Sequence, residues 1–314
     1  MRAIRLRDLL DGLVLLVLLP VSWLLPTRFW PGFTRLLGRA HVRLLGAKTS
    51  HLDRALLARL GVSACELAIG FRQHNYWELM EILREHAPWG WRIHISIDGR
   101  QHIDQALAAG TGAVLWYCPF THADLVFKKG LHQAGYQVNH LSALTHGFSD
   151  TQFGLAVLNP VKTRVERRYL KDRCVMGTTG VGEVIRDLLN RLRRNEIVSV
   201  TALHTGKHTG VRPLFGGTLR LAKGAANFAL STGAALIPIF VVPVDGGYQV
   251  RVEPPLLPAS DETVVAEEGF ISTYVPILER YVVEFPSLWR GWLGSPNYWT
   301  PDPITRAEAR PNAG

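Results

Sequence analysis

In the middle of the chain, stretches with the hydrophobic pattern of a strand alternate with stretches that have helical spacing. Residues 113–117 form a continuous apolar run, which indicates a buried strand, and residues 122–133 follow with helical spacing. A second strand is expected over residues 136–141. A strand, a helix and a further strand in succession favour a βαβ unit, in which the two strands are parallel.

The same alternation continues through the carboxyl-terminal half. An apolar stripe at helical spacing predicts an amphipathic helix over residues 181–192. Residues 197–203 have the pattern of a strand, 221–231 of a helix, and 235–242 and 248–253 of two more strands. We therefore expect an α/β fold, with a mainly parallel sheet flanked by helices.

The amino-terminal segment has a different character. Residues 13–25 are leucine, valine and tryptophan, interrupted only by Pro20 and Ser22. No small-residue cleavage site follows this run, so we expect the segment to be retained as a membrane-associated helix. A full span needs about 20 apolar residues. Tilted, interfacial and barely spanning arrangements therefore all fit a run of this length.

Arginines flank the apolar run on both sides, which suits a helix lying on a membrane surface. They are Arg2, Arg5, Arg7, Arg28, Arg35, Arg39 and Arg43. A buried core helix is the alternative interpretation, but Trp23, Phe29 and Trp30 near the polar boundary favour the membrane.

The patterns divide the chain into three parts. Residues 1–30 are predicted to be a membrane anchor helix, residues 31–296 an α/β domain, and residues 297–314 a flexible tail. Within the domain, residues 53–86 predict two helices that lead to Pro88.

The amino-acid composition limits the classes of partner that the protein is expected to bind. The hydrophobic set makes up 47% of the 314 residues and the charged set 19%, as in a folded protein with somewhat more apolar surface than usual. The net charge of +9 favours an anionic partner. Cys65, Cys118 and Cys174 are too few and too scattered for a disulfide framework, and no cluster of zinc ligands exists. We expect no metal and no cofactor.

Three blocks of sequence carry a resemblance to a known family. They are Gly112-Ala113-Val114-Leu115 with Phe120 and Asp124-Leu125, Val211-Arg212-Pro213-Leu214-Phe215-Gly216 with Ile237-Pro238-Ile239-Phe240, and Glu284-Phe285-Pro286-Ser287-Leu288-Trp289-Arg290-Gly291-Trp292. Their order and spacing resemble those of the lauroyl and myristoyl acyltransferases of bacterial lipid A biosynthesis. The resemblance implies transfer of a fatty acyl chain from an acyl thioester to a lipid or glycolipid, at the cytoplasmic face of the inner membrane.

In that family a strand delivers a histidine and, five positions later, an acid. The histidine acts as a general base on the acceptor hydroxyl, and the acid orients its ring. If Asp124 is the acid, the position of the base is taken by Pro119, and no histidine of the chain has Asp or Glu five residues later. His122 is the histidine nearest to Asp124, and we predict it as the base with Asp124 as its partner.

Two alternatives remain open. Another histidine serves in the first, either His146 with Asp150 at i,i+4 spacing, or His204 or His208 in a polar loop. In the second, the protein is a catalytically impaired homologue that binds lipid or acyl carrier without turnover.

The resemblance also implies partners. The donor is an acyl carrier protein or an acyl-CoA, and a basic patch at Arg164, Arg167 and Arg168 would suit the acidic helix of a carrier. Arg212, Arg220 and His204 are predicted to bind the acceptor lipid, because arginine can hold a phosphate by paired hydrogen bonds. No nucleic-acid-binding motif accompanies the basic residues, so we expect no nucleic-acid partner.

Overall fold

A computed structural model of the protein describes residues 2–177, 180–203, 209–258, 263–293 and 298–301. In these ranges the helices are α1 (Leu6–Leu24), α2 (Trp30–Leu45), α3 (Arg54–Arg59), α4 (Ala64–Glu85), α5 (Arg100–Ala108), α6 (Ala123–Gln133), α7 (Asn159–Arg167), α8 (Val181–Arg193), α9 (Gly224–Thr232), α10 (Thr263–Glu284) and α11 (Arg290–Leu293). The strands are β1 (His94–Asp98), β2 (Ala113–Tyr117), β3 (Val138–Ala143), β4 (Asp172–Met176), β5 (Ile197–Thr201), β6 (Thr209–Leu214), β7 (Gly217–Ala222), β8 (Ala235–Val244), β9 (Gly247–Val252) and β10 (Trp299–Pro301).

Seven of the strands form a central sheet in the order β1-β9-β8-β2-β5-β3-β4. β8 and β9 are antiparallel, and every other neighbouring pair is parallel. All five residues of β2 are buried, as expected for a strand covered on both faces. The predicted α/β fold with a mainly parallel sheet is therefore confirmed.

One predicted boundary is wrong. The helix expected over residues 221–231 begins only at Gly224, and Leu221 belongs to β7. Leu219 and Leu221 are both buried while Arg220 between them is exposed, which is the two-residue period of a strand. A run of apolar residues this short has no clear period of its own, and pairing with β6 decides its conformation.

A second, antiparallel sheet has the order β10-β7-β6. Its third strand, Trp299–Pro301, falls in the part of the chain predicted to be a flexible tail. The indole of Trp299 is 3% exposed and donates a hydrogen bond to the carbonyl oxygen of Leu214, at 2.7 Å. The tail prediction is therefore wrong for these residues, whereas residue 297 and residues 302–314 lie outside the described ranges.

The amino-terminal helices are packed onto the rest of the fold. Leu15 and Leu18 on one face of α1 are buried in a cluster with Leu83 of α4 and Leu158. One face of α1 therefore completes a small core with α4.

Two of the three aromatic residues expected at a membrane boundary lie elsewhere. Trp30 is 1% exposed, and the Trp23 indole donates a hydrogen bond to the carbonyl oxygen of Leu83. Phe29 is exposed.

In the described part of the chain, the apolar stretches of the helices are too short or too interrupted by charge for any helix to cross a bilayer. The first two turns of α1 carry Arg7, Asp8 and Asp11. The face of α1 that points away from the fold is nonetheless apolar, and its exposed residues are Leu6, Leu9, Leu10, Leu13, Leu16, Val17 and Leu24.

Gly112 fixes the start of the central strand. Its φ is +70°, and a Cβ at this position would lie 2.7 Å from the carbonyl oxygen of Leu192 and 3.0 Å from that of Glu196. Its N–H donates to the side chain of Asn195. Gly110, two residues earlier, has a similar φ of +75°, but a Cβ there would meet no atom within 4 Å.

We expect Gly112→Ala to destabilise the protein much more than Gly110→Ala. Both variants place alanine in the left-handed region, at a cost of about 1–2 kcal/mol, but only Gly112→Ala also collides with the backbone, for a total of about 3 kcal/mol or more. Urea unfolding followed by circular dichroism measures both losses. Equal losses would show that the close approach of Leu192 is not a constraint on the fold.

Candidate active site

The chain leaves β2 through a tight turn that ends at the first residue of α6. Pro119 begins this turn, and the N–H and hydroxyl groups of Thr121 both donate to the carbonyl oxygen of Leu288. His122 precedes α6 with φ of +74°, a left-handed conformation that is uncommon for residues other than glycine. The turn is thus held by the carboxyl-terminal segment, and α6 then presents Asp124.

The side chain of His122 lies in a closed polar cluster. It is 1% exposed, and its Nδ1 contacts Glu81 Oε2 at 2.8 Å and the hydroxyl of Tyr248 at 3.1 Å. Its Nε2 lies 3.1 Å from Nδ1 of His74. Burial, followed by the charge of His122, lowers the pKa of His74 to about 3, so His74 is neutral at physiological pH. Both ring nitrogens of His122 therefore already have partners.

The Asp124 carboxylate has other partners. Oδ1 accepts a hydrogen bond from the Tyr117 hydroxyl at 3.1 Å, and Oδ2 accepts one from Lys162 Nζ at 2.6 Å. Burial opposes the charge of Asp124, but Lys162 and then His146 outweigh it and hold the pKa of this carboxyl well below its usual range. The structure therefore does not bring His122 and Asp124 together as the predicted pair, because the left-handed turn directs the ring of His122 towards Glu81.

The structure instead places His146 beside Asp124. His146 follows β3, and its Nε2 lies 2.9 and 3.1 Å from the two carboxylate oxygens of Glu166. Polar atoms of Asp124, His146 and Glu166 all lie within 4.8 Å of one another. The alternative pairing of His146 with Asp150 is not what the structure shows, since Asp150 forms an ion pair with Arg5 at 2.7 Å.

Glu166 is 1% exposed and is held as a carboxylate. It accepts a hydrogen bond from Lys128 Nζ at 2.6 Å. Burial opposes its charge, but His146 and Lys128 together lower the pKa of Glu166 well below the usual value. An ionised carboxylate fixes the tautomer of the imidazole that donates to it, so in the neutral ring of His146 the proton is on Nε2 and Nδ1 is the basic nitrogen. Nδ1 makes no hydrogen bond to any described residue.

Asp124 and His146 line one cavity of about 750 Å³ at the carboxyl ends of β2, β3 and β5, whereas Glu166 is not one of its lining residues. This edge of a parallel sheet is where α/β proteins bind their ligands. The polar residues of the wall include Asp124, His140, His146, Lys162 and Arg290. The apolar residues include Leu141, Met176, Val181, Ile185, Val200, Leu203 and Phe228. His122 is not one of the lining residues, whereas Pro119 is.

Arg290 contributes a cation to the same wall. Its guanidinium donates a hydrogen bond to Glu78, which also lies 4.0 Å from Lys162. Nε of Arg290 is buried and has no hydrogen-bond partner among the described residues. A buried donor without a partner is costly, so this atom is available for a polar group that enters the cavity.

Asp124, His146 and Glu166 are also residue types that bind metal ions. Each carboxylate, however, already accepts a short hydrogen bond from a buried ammonium group, Lys162 for Asp124 and Lys128 for Glu166. A divalent cation would have to displace or repel both lysines, at a high electrostatic cost. The cluster fits proton transfer better than metal binding.

The other predicted binding residues that the structure describes do not line this cavity. Arg212 contacts Glu268 and Ser272, and Arg220 is exposed on β7. Arg164, Arg167 and Arg168 are exposed at and just beyond the end of α7, as a docking surface requires. His204 and His208 lie outside the described residues.

Three site residues had not been predicted, namely Lys162, Glu166 and Arg290. A signal for two of them exists in the sequence. Lys162 and Glu166 are four residues apart on α7 and are both buried, so they share the face of the helix that points inward. Glu166 is the single acid within a run of basic residues, and Val165 beside it is buried as well. Such a pattern is more typical of a half-buried helix than of a fully solvated one.

Comparison with known proteins identifies the family of the chain. The family model described as bacterial lipid A biosynthesis acyltransferase matches residues 87–290, which include Asp124, His146, Glu166 and Arg290. The chain is 26% identical over 231 residues to a phosphatidylinositol mannoside acyltransferase of Mycobacterium tuberculosis strain CDC 1551 / Oshkosh, an alignment that covers 70% of this chain and 67% of that protein. The protein of the same name from strain ATCC 25618 / H37Rv matches with the same identity and coverage. Because the family match extends over more than half of the chain, this protein belongs to the bacterial lipid A biosynthesis acyltransferase family.

Proposed function

We propose that this acyltransferase moves a fatty acyl chain from an acyl thioester to a hydroxyl or amine of a lipid or glycolipid, with His146 as the general base. The observation that carries the proposal is the position of His146 on the wall of the large cavity, close to Asp124 and with its Nε2 in hydrogen-bond contact with Glu166. His146 is partly exposed there, whereas His122 is buried and has partners on both ring nitrogens.

The reaction is a simple exchange at the acyl carbon. Nδ1 of His146 takes the proton of the acceptor hydroxyl as its oxygen attacks the thioester carbonyl. The new C–O bond forms, the C–S bond breaks, and the imidazolium returns its proton to the departing thiolate. The products are an ester and a free thiol, so no oxidant, reductant or metal is needed. Glu166 stabilises the imidazolium between the two proton transfers, as a carboxylate does in other histidine-containing sites.

Cations near the base can stabilise the oxygen that becomes negative during the attack. Lys162 and Arg290 both reach the cavity wall, and Nε of Arg290 has a donor to offer. Charge that develops in a water-poor cavity is stabilised strongly by donors that are already in place. Asp124 holds Lys162 in position for this role.

The apolar part of the wall suits the acyl chain of the donor. Met176, Val181, Ile185 and Phe228 lie on that part of the wall, and a cavity that combines an apolar wall with a few polar groups is typical of sites for small amphipathic ligands. Burial of each methylene contributes about 0.8 kcal/mol, so a fatty chain would gain much of its binding energy here.

Membrane association is part of the proposal. The outward face of α1 presents seven apolar side chains, of which Leu9, Leu13 and Leu16 are 54%, 58% and 70% exposed. Arginines near both ends of this helix would attract anionic headgroups. We propose that α1 lies on the bilayer without crossing it, at the cytoplasmic face of the inner membrane.

The donor carrier would dock on the exposed end of α7. Arg164 and Arg167 are exposed in the last turn of α7 and Arg168 just beyond it, and Lys162 of the same helix lines the cavity. A carrier protein with an acidic helix, or the phosphates of a coenzyme A donor, would meet this patch by charge complementarity.

We expect His146→Gln to lose about 10²–10⁴-fold in the rate of acyl transfer, the usual contribution of a general base. Glutamine keeps a donor for Glu166 but cannot accept a proton, so the fold should be retained. Mass spectrometry of new acylated lipids, with acyl-carrier and acyl-CoA donors, measures the rate.

His122→Asn is the control, because asparagine tolerates the left-handed conformation. It should lower the thermal stability, since Glu81 loses a buried partner, yet keep most of the activity. A rate loss in His122→Asn with normal transfer in His146→Gln would reverse the assignment of the base. Absence of transfer in the unmodified protein, with every donor, would support a binding-only homologue.

We expect the triple variant Leu9→Gln, Leu13→Gln and Leu16→Gln to move protein from the membrane to the soluble fraction, because it removes apolar area that would otherwise contact lipid. Leu257→Gln is the matched control, since Leu257 is 78% exposed at a distant site. Fractionation by ultracentrifugation measures the change. Equal membrane retention of the triple variant and the control would exclude α1 as the docking surface.

A further inference from the structure

The amino end of α1 is joined to the segment that carries the base. Gln152 and Phe153 donate backbone hydrogen bonds to the carbonyl oxygens of Arg2 and Ala3, both at 3.0 Å. Arg5 adds an ion pair with Asp150 at 2.7 Å. These contacts lie within seven residues of His146, so the start of the chain forms one side of the loop that follows the base. We refer to residues 146–153 as the base loop.

Asp8 makes the most enclosed of these contacts. Its carboxylate is 1% exposed and accepts hydrogen bonds from the hydroxyl of Ser149 at 2.6 Å and from that of Thr151 at 2.7 Å. The N–H of Arg5 donates to it at 2.8 Å. A carboxylate that accepts three donors fixes the groups that donate.

Asn159 holds the base loop from the opposite side. Its side-chain oxygen accepts from the N–H groups of Phe148 and Ser149, at 2.8 and 3.0 Å, and its amide donates to the carbonyl oxygen of Ser149. Asn159 is the first residue of α7, which also provides Glu166. The loop therefore runs between α1 and the helix that orients the imidazole of His146.

The two faces of α1 have different roles in this arrangement. The face with Asp8, Leu15 and Leu18 contacts the fold, and the opposite face with Leu9, Leu13 and Leu16 is exposed and apolar. A surface that binds the outer face of α1 also restricts the position of Asp8, because both belong to one helix. Contacts on the outer face can thus change the order of the base loop.

We propose that Asp8 is a positioning residue that couples the binding of α1 to a lipid surface to the position of His146. The lipid surface is the occupant of the outer face, since the arginines beside the leucines complement anionic headgroups. Lipid binding fixes the position of α1 against the fold. The Asp8 carboxylate then orders the base loop, and His146 therefore keeps its hydrogen bond to Glu166. The inference rests on the proposed role of His146 in transfer.

Asp8→Ala tests the coupling, with Asp11→Ala as the matched control. Asp11 lies one turn further along α1, has Arg7 as its charged neighbour at 3.7 Å, and makes no hydrogen bond or ion pair with a described residue of the base loop. Vesicles of phosphatidylcholine with one third phosphatidylglycerol provide the lipid surface. Hydrogen exchange of the full chain, with and without vesicles, reports the order of the base loop independently of activity.

We expect vesicles to slow exchange at residues 146–153 about tenfold or more in the wild type and in Asp11→Ala, but not in Asp8→Ala. All three proteins should bind the vesicles equally. With a short, water-soluble thioester and acceptor, vesicles should raise kcat of the wild type and leave KM nearly unchanged, and Asp8→Ala should lose this increase. A general loss of structure would instead change exchange throughout the chain.

Vesicle-dependent protection of the base loop that persists in Asp8→Ala would overturn the proposal, as would equal exchange with and without vesicles in the wild type. If no thioester is turned over by any form, the proposed function fails, and the exchange experiment still decides whether Asp8 couples the lipid surface to the loop.

Discussion

Two buried carboxylates that remain ionised are the central constraint on the site. Asp124 and Glu166 lie within 4.8 Å of His146, and each has its own buried lysine, Lys162 and Lys128. A buried charge is tolerated only when it is paired and fully hydrogen-bonded. Removal of either lysine would leave a carboxylate without compensation, at a typical cost of about 3–5 kcal/mol. The ion pairs therefore determine how α6 and α7 pack, and this packing places the imidazole.

The turn after β2 and the loop after β3 supply different groups to the cavity wall. Pro119, in the turn after β2, lines the cavity without offering a base. His146 reaches Asp124 from the neighbouring loop, because the carboxyl ends of parallel strands meet at one edge of the sheet. Asp124 thus comes from the start of α6, while the proposed base comes from the loop that follows β3.

The amino-terminal helix shows how one element can serve the fold and a surface together. A helix with charge in its first turns and leucines on opposite faces buries one face against α4 and leaves the other exposed. Its polar residues are not simply turned towards water. Asp8 points inward and binds the base loop, so the docking of α1 and the order of the loop share the same contacts.

The sequence by itself determined the α/β class, the buried central strand and most of the helices, because their periodicity is local. It also indicated Asp124, through the spacing of the family pattern. The tertiary structure alone decided which histidine lies beside Asp124. His122 is two residues away along the chain but turns towards Glu81, whereas His146 is 22 residues away and is brought close by the sheet. Proximity in sequence does not predict the histidine beside Asp124, because a left-handed turn rotates the side chain of His122 away. Strand pairing instead brings together segments that share no local sequence pattern.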